Sequence, residues 1–289
     1  MAIDVIEYTD PGCPWAYSAS PAIAVLQWRY GTQLRWRLVT IGLTESAQQY
    51  VDRGYTPARN AKGNRRFRAW GMPLAVHVKP RVTATARMCR AVVATRLLAP
   101  EREREAFRAL QFAQFTTPLL LDDDDALREA LALVDGLDAD AVVGALDGEA
   151  VTAAYEADRA DARTADGTPT HFQGKHAQSD GPVRYTAPSL VMSADGATLE
   201  AGGFQPLEAY DVLVANLDPT LERRGVPEEA FEALAAFPSG LTTAEVTAIM
   251  TPDLADADPD GVEAELIDLV ADGRATRTPL GDDALYRVG

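Results

Sequence analysis

Residues 3–9, "IDVIEYT", alternate apolar and polar in the manner of a half-buried strand, and "DPGCP" then punctuates the chain as a turn. From Pro14 to Tyr30 the apolar positions recur at helical spacing, with Ala16, Ile23, Leu26 and Tyr30 predicted to face inward and Gly31 standing where a helix stops. Residues 34–41, "LRWRLVTI", alternate again, so a β-α-β unit opens the chain.

The next long stretch is helical in pattern. "VTATARMCRAVVATRLL", "EREREAFRALQFAQF", "DDDALREALALVDG" and "GEAVTAAYEADRADA" carry period-3.6 apolar stripes with acids near several starts. Residues 166–188 read as a loop, and "SLVMSADGATLEAGGF" reads as two short strands turned at Asp195-Gly196. A helix over 206–217 follows, with proline at its start. The order β-α-β, helical insertion, β-β-α is that of a thioredoxin fold with a helical domain spliced into its middle. The expected boundaries are 1–43 and 183–220 for the thioredoxin-like part and 44–182 for the insertion. Residues 238–289 read as a separate helix-turn-helix-strand-strand unit, which resembles a winged-helix module. The fold class is therefore α/β, with a small C-terminal winged-helix-like domain.

Composition narrows the functional classes. At 289 residues, 47% hydrophobic and 24% charged, the chain is an ordinary globular sequence able to bury a large core. No apolar run approaches the roughly 20 residues that span a bilayer, and Met1 leads straight into a strand-like segment without a basic-then-apolar leader, so the expected location is the cytoplasm. A net charge of −16 repels phosphate backbones and anionic membranes, which argues against nucleic acid and membrane partners. Cys13 and Cys89 are the only cysteines, far apart, so neither a disulfide framework nor zinc-ligand spacing is present and no metal site is expected.

The chemistry concentrates in "DPGCPWAY". A cysteine at an N-cap, with Pro14 as the first helical residue, aims its sulfur at unpaired backbone N–H groups and the positive end of the helix dipole. That placement favours thiolate and predicts a pKa falling toward or below neutral. Trp15 is expected beside the sulfur as an apolar surface for a substrate. With "TAPSLVM" and the inserted helices, this motif resembles the DsbA-like branch of the thioredoxin superfamily over roughly residues 3–217. That branch includes FrnE-type oxidoreductases, mycothiol-dependent reductases, 2-hydroxychromene-2-carboxylate isomerases and kappa-class glutathione transferases. The resemblance implies that Cys13 is the nucleophile, that Pro188 is cis and faces it, and that Ala187 offers main-chain atoms to a substrate lying along Pro14 and Trp15.

One position departs from the dithiol pattern. Ala16 stands where a resolving cysteine would be, so a mixed disulfide on Cys13 has no local partner. The function expected first is a thiol-disulfide oxidoreductase with a single active-site cysteine, exchanging with a low-molecular-weight thiol such as glutathione or mycothiol and holding no tightly bound cofactor. The alternatives are a thiol-dependent transferase or isomerase of the chromene-carboxylate or kappa type, and a redox-responsive protein-interaction module.

Other candidates carry less. Cys89 lies on an apolar helix, where most cysteines are inert core residues. Arg59, Lys62, Arg65, Arg66 and Arg68 form a basic run that suits either an anionic ligand or a solvated face pairing with the chain's acids. His171 and His176 lack a metal-ligand pattern, and Tyr17 and Tyr185 fit a core as well as a cleft. From Leu241 to Gly289 eleven acids face three arginines, and the would-be recognition helix has no cation, so this unit is expected to dock on its own chain, a second copy or a protein partner rather than on DNA.

Overall fold

The computed structural model describes residues 2–179 and 181–289; Met1 and Asp180, which fall within the expected thioredoxin-like part and insertion, lie outside the described residues. Strand β1 (Ile3–Thr9) pairs in parallel with β2 (Leu34–Thr40), from Ile3 opposite Leu34 to Thr9 opposite Thr40. The helix expected over 14–30 is broken at Ala19 into α1 (Pro14–Ser18) and α2 (Ser20–Tyr30), because Pro21 has no N–H to continue the helical ladder. All four residues expected inward, Ala16, Ile23, Leu26 and Tyr30, are buried. The alternation of β1 gives way near its C-terminal end, where Glu7, Tyr8 and Thr9 are all buried and Glu7 is neutralised by Arg104 at 2.8 Å.

The chain then leaves the sheet. Helices α3 (Ala47–Asp52) and α4 (Pro57–Arg65) precede a bundle of α5 (Ala86–Leu98), α6 (Glu103–Thr116), α7 (Asp124–Leu131), α8 (Ala139–Gly144) and α9 (Glu149–Ala162). Met88, Leu110, Leu127, Leu131, Leu146 and Tyr155 form the bundle core, which packs on the sheet through Leu38 of β2. The segment read as a loop contains a short helix, α10 (Pro169–Phe172), and two-residue strands β3 (His176–Ala177) and β4 (Arg184–Tyr185). The chain re-enters the sheet as β5 (Ser189–Ala194) and β6 (Ala197–Ala201), giving the order β2-β1-β5-β6 with β5 antiparallel to both neighbours. Asp195 and Gly196 make the turn with φ of 51° and 80°, the positive pair that a tight hairpin requires. Helix α11 (Leu207–Leu217) closes this part.

The remaining elements are α12 (Ala230–Ala236), β7 (Leu241–Thr242), α13 (Thr243–Met250), α14 (Pro259–Ala271), β8 (Ala275–Leu280) and β9 (Asp283–Val288), with sheet order β7-β9-β8. A capping box between Thr242 and Glu245 starts α13. The unit docks on its own chain. Val246, Ile249, Leu234 and Leu266 share a core with Ala24, Val25 and Trp28 of α2, and buried Glu245 accepts from Arg108 at 2.8 Å. The acids that burden this unit thus partly pair with body arginines, Asp253 with Arg29 at 2.5 Å among them. Among the described residues no helix is long and apolar enough to cross a membrane.

Candidate active site at Cys13

Cys13 caps α1 with extended backbone (φ −86°, ψ 115°), and Pro14 is the first helical residue, as the sequence indicates. The cap places the sulfur near the N–H groups of Ala16 and Trp15. Its thiol donates to the Ala187 carbonyl at 3.2 Å, and the Ala187–Pro188 peptide is cis. The residues brought together from the two ends of the motif are therefore Cys13, Pro14, Trp15, Ala187 and Pro188. Trp15 is 36% exposed and sits within an aromatic rim: Phe67 at 4.9 Å, Phe204 at 5.3 Å and Trp70 at 6.1 Å between ring centres.

The expected low pKa is corrected by the structure. Cys13 is only 7% exposed, and burial pushes its thiol from 9.0 up to about 12. The N–H groups of Ala16 and Trp15 and the charge of Arg184 pull the other way, while Asp10 adds to the rise. Desolvation of a thiolate outweighs a helix end of only five residues, so the resting group is a protonated thiol.

Asp10, which sequence reasoning passed over, ties the site together. Its carboxylate is fully buried and accepts from Gly12 N at 2.8 Å, Leu43 N at 2.9 Å, the Thr85 hydroxyl at 2.9 Å and the Cys89 thiol at 3.3 Å. Burial raises its pKa, and those donors oppose the rise. Asp10 thereby pins the Cys13 turn to the loop after β2 and to the start of α5. Gly12 has no room for a side chain: a Cβ there would lie 2.5 Å from Thr85 Cγ2. Cys89 is wholly buried in the bundle core, and burial with the charge of Asp10 holds its thiol well above the usual range. The core reading of Cys89 fits, with the addition that its thiol donates to the carboxylate beneath the Cys13 turn and lies near the Gly42 N–H.

A cleft of about 560 Å³ opens beside Cys13, lined by Gly12, Pro14 and Trp15 on one side and by the α3–α4 region on the other. Of the basic run, Arg59 and Arg66 line it, whereas Lys62, Arg65 and Arg68 do not, and Arg68 pairs with Asp282 at 3.3 Å. Arg53, Lys79 and Arg184 add cations from distant segments, whereas Arg81, which also lines the cleft, is paired with Asp122 at 2.6 Å and Asp123 at 2.7 Å. Tyr50 also lines the cleft, and burial raises its hydroxyl pKa, with the charge of Asp10 adding to the rise. Tyr17 and Tyr185 are core residues instead: the Tyr17 hydroxyl donates to Pro73 O at 2.8 Å, and Tyr185 stacks on Tyr8 and donates to Glu200 at 2.9 Å. His171 lies 3.0 Å from Asp166 and does not line the cleft. Among the described residues no group of three or more His, Cys, Asp or Glu is placed to hold a metal ion.

The family model for the DSBA-like thioredoxin domain matches residues 4–187. No curated protein matches the sequence. Among solved structures, the cytosolic disulfide reductase DsbM from Pseudomonas aeruginosa, solved with GSH, is 19% identical with a TM-score of 0.52, the match covering 74% of this chain and 98% of DsbM. A probable DsbA oxidoreductase from Streptomyces coelicolor is 16% identical with a TM-score of 0.55, over 75% of this chain and 91% of that one. At these identities the likeness is one of fold.

Proposed function

The chain belongs to the DSBA-like thioredoxin domain family, and from that premise we propose that it is a thiol-disulfide oxidoreductase working through Cys13 alone, in exchange with a low-molecular-weight thiol. The observation that carries this is the position of Cys13 at the head of α1, against the Ala187 carbonyl, with a methyl group at Ala16 where a second thiol would resolve it. Cys13 attacks a disulfide RS–SR, forming Cys13–S–SR; the Cys13 proton leaves with the departing sulfur as RSH. A second thiol molecule then attacks the adduct and returns Cys13 as a thiol, taking the released group as a disulfide. Pro14, Trp15, Ala187 and Pro188 shape the groove in which the disulfide lies.

Burial keeps the resting thiol quiet, so exchange falls to disulfides that the cleft seats against it. Glutathione, present with the fold neighbour DsbM, is the first such thiol to test, and mycothiol the second. A second reading is supported by the raised Cys13 pKa: a protonated Cys13 can donate a hydrogen bond to the sulfur of a bound thiol, serving transferase or isomerase chemistry. We take the domains as 1–43 with 183–220 for the thioredoxin-like part, 44–182 for the insertion and 238–289 for a winged-helix-like unit, whose order β-α-α-β-β supports that reading. Two unlinked cysteines suit a reducing cytoplasm. The separating experiment is turnover: an oxidised small thiol reduced at the expense of a free one, lost in Cys13→Ser, supports the oxidoreductase, and retention of that turnover in Cys13→Ser refutes it.

A further inference from the structure

We propose that the cleft beside Cys13 takes a phosphorylated thiol or its disulfide, of the pantetheine-nucleotide class, in preference to glutathione or a neutral sugar thiol. This rests on the proposed exchange at Cys13 and names its small-molecule partner by chemistry.

The charge pattern carries the inference. The protein bears a net −16, yet among the described residues lining this cleft there is no carboxylate. Arg59 and Arg66 have no acidic partner among the described residues. The Arg59 guanidinium donates to Gly54 O at 2.9 Å and lies over the Tyr55 ring, while Arg66 lies over the rings of Trp15 and Phe67. Arg53 likewise bonds only a carbonyl, Ser179 O, among the described residues. In a chain whose other arginines so often meet acids, cations left facing one cleft select an anion. The rings hold the two guanidinium groups by cation–π attraction, which takes up none of their N–H donors.

Lys79 supplies a further positive charge from the floor. It is largely desolvated, and its ammonium is held by three carbonyl oxygens, two from Gln114 and one from Leu119 at 2.7 Å, so it acts through its field rather than by a free donor. Burial lowers its pKa to about 8 while the charge of Asp122 opposes the drop, so the ammonium stays mostly charged at neutral pH.

Ligand chemistry then decides between thiols. A neutral sugar thiol offers Arg59 and Arg66 no negative charge to meet. Glutathione offers two carboxylates but also an ammonium group, and the described lining holds no acid to receive it. A phosphorylated thiol brings several negative charges and no cation, and a cleft of about 560 Å³ is within the range that holds ligands larger than a tripeptide. Gly12, Pro14 and Trp15, which flank Cys13 in the chain, line the cleft and mark the end that takes the sulfur.

The test is calorimetric titration of the full-length protein, kept reduced, with coenzyme A, glutathione and dephosphorylated pantetheine as probes at low salt. The expected result is that coenzyme A binds at least tenfold more tightly than either comparator, that the preference shrinks as salt rises, and that Arg59→Gln/Arg66→Gln weakens coenzyme A at least tenfold. Equal or tighter binding of glutathione or pantetheine, or an unchanged affinity in the double variant, overturns the proposal. Repeating the titration in Cys13→Ser separates the two claims: binding needs no sulfur exchange, so failed exchange chemistry leaves this preference intact, and a missing preference leaves the exchange chemistry standing.

Discussion

The Cys13 thiol is predicted to resist alkylation at neutral pH, against the trend for a cysteine at a helix start. The perturbation is pH. Raising the pKa from 9.0 to about 12 cuts the thiolate fraction at pH 7 roughly a thousandfold, a cost of roughly 4 kcal/mol. A more basic thiolate is intrinsically more nucleophilic, with a Brønsted slope of about 0.4–0.5, which restores a factor of about 20 and leaves a deficit near 50-fold before any shielding. At 7% exposure, shielding deepens it. The assay is iodoacetamide labelling of reduced protein from pH 6 to 10, read at Cys13 by peptide mass mapping against a cysteine peptide, so that Cys89 need not be replaced. The rate at Cys13 should climb about tenfold per pH unit with no plateau below pH 10. A plateau with a midpoint below 8 would refute the reasoning, because the helix end would then outweigh burial. Linkage gives a companion sign: the folded pKa lies above the unfolded one, so stability is fully present below about pH 9 and is lost as pH rises toward about 12.

Asp10→Asn replaces an acceptor of four donors with a group that must turn its own N–H₂ toward some of them, and should cost about 2–4 kcal/mol in denaturant unfolding while speeding Cys13 alkylation; unchanged stability would contradict the role given to this carboxylate. Trp28→Ala removes the α2 side chain shared with the C-terminal unit, along with its 2.7 Å bond to Gly225 O and the Arg224 guanidinium over its ring. A loss of about 3–5 kcal/mol is expected, with faster proteolysis after residue 237, and equal proteolysis would contradict tight docking. Ala16→Cys adds a thiol three residues from Cys13 in the first turn of α1, and should yield an internal disulfide under mild oxidation and abolish the stable mixed disulfide; persistence of a small-thiol adduct as the main oxidised product would count against the resolving role assigned to that position.

Local signals were legible in the sequence, and non-local ones were not. The β1-turn-α1 arrangement, the Asp195-Gly196 hairpin and the bundle helices follow from patterns within a dozen residues. The break of the long helix at Ala19 was available from Pro21 but was masked by an unbroken apolar stripe. Asp10 gave only a turn signal, since its partners at Leu43, Thr85 and Cys89 come from segments the fold alone brings together. The same holds for the cleft: the basic run announced Arg59 and Arg66, but Lys79 and Arg184 arrive from elsewhere, and Arg68 is drawn away to Asp282. The sign of the Cys13 shift failed for a related reason. The helix end is a local feature, whereas the burial that overrides it is built from Tyr8, Val39, Tyr185 and Ala187 on other strands and loops.

The central claim, a single-thiol cycle at Cys13, is tested most directly by intact mass after incubation of the reduced protein with an excess of oxidised small thiol. The account predicts one adduct per chain, mapped to Cys13, absent in Cys13→Ser, retained in Cys89→Ser and released by the free thiol. No adduct at Cys13, or a Cys13–Cys89 disulfide in place of the adduct, would contradict it.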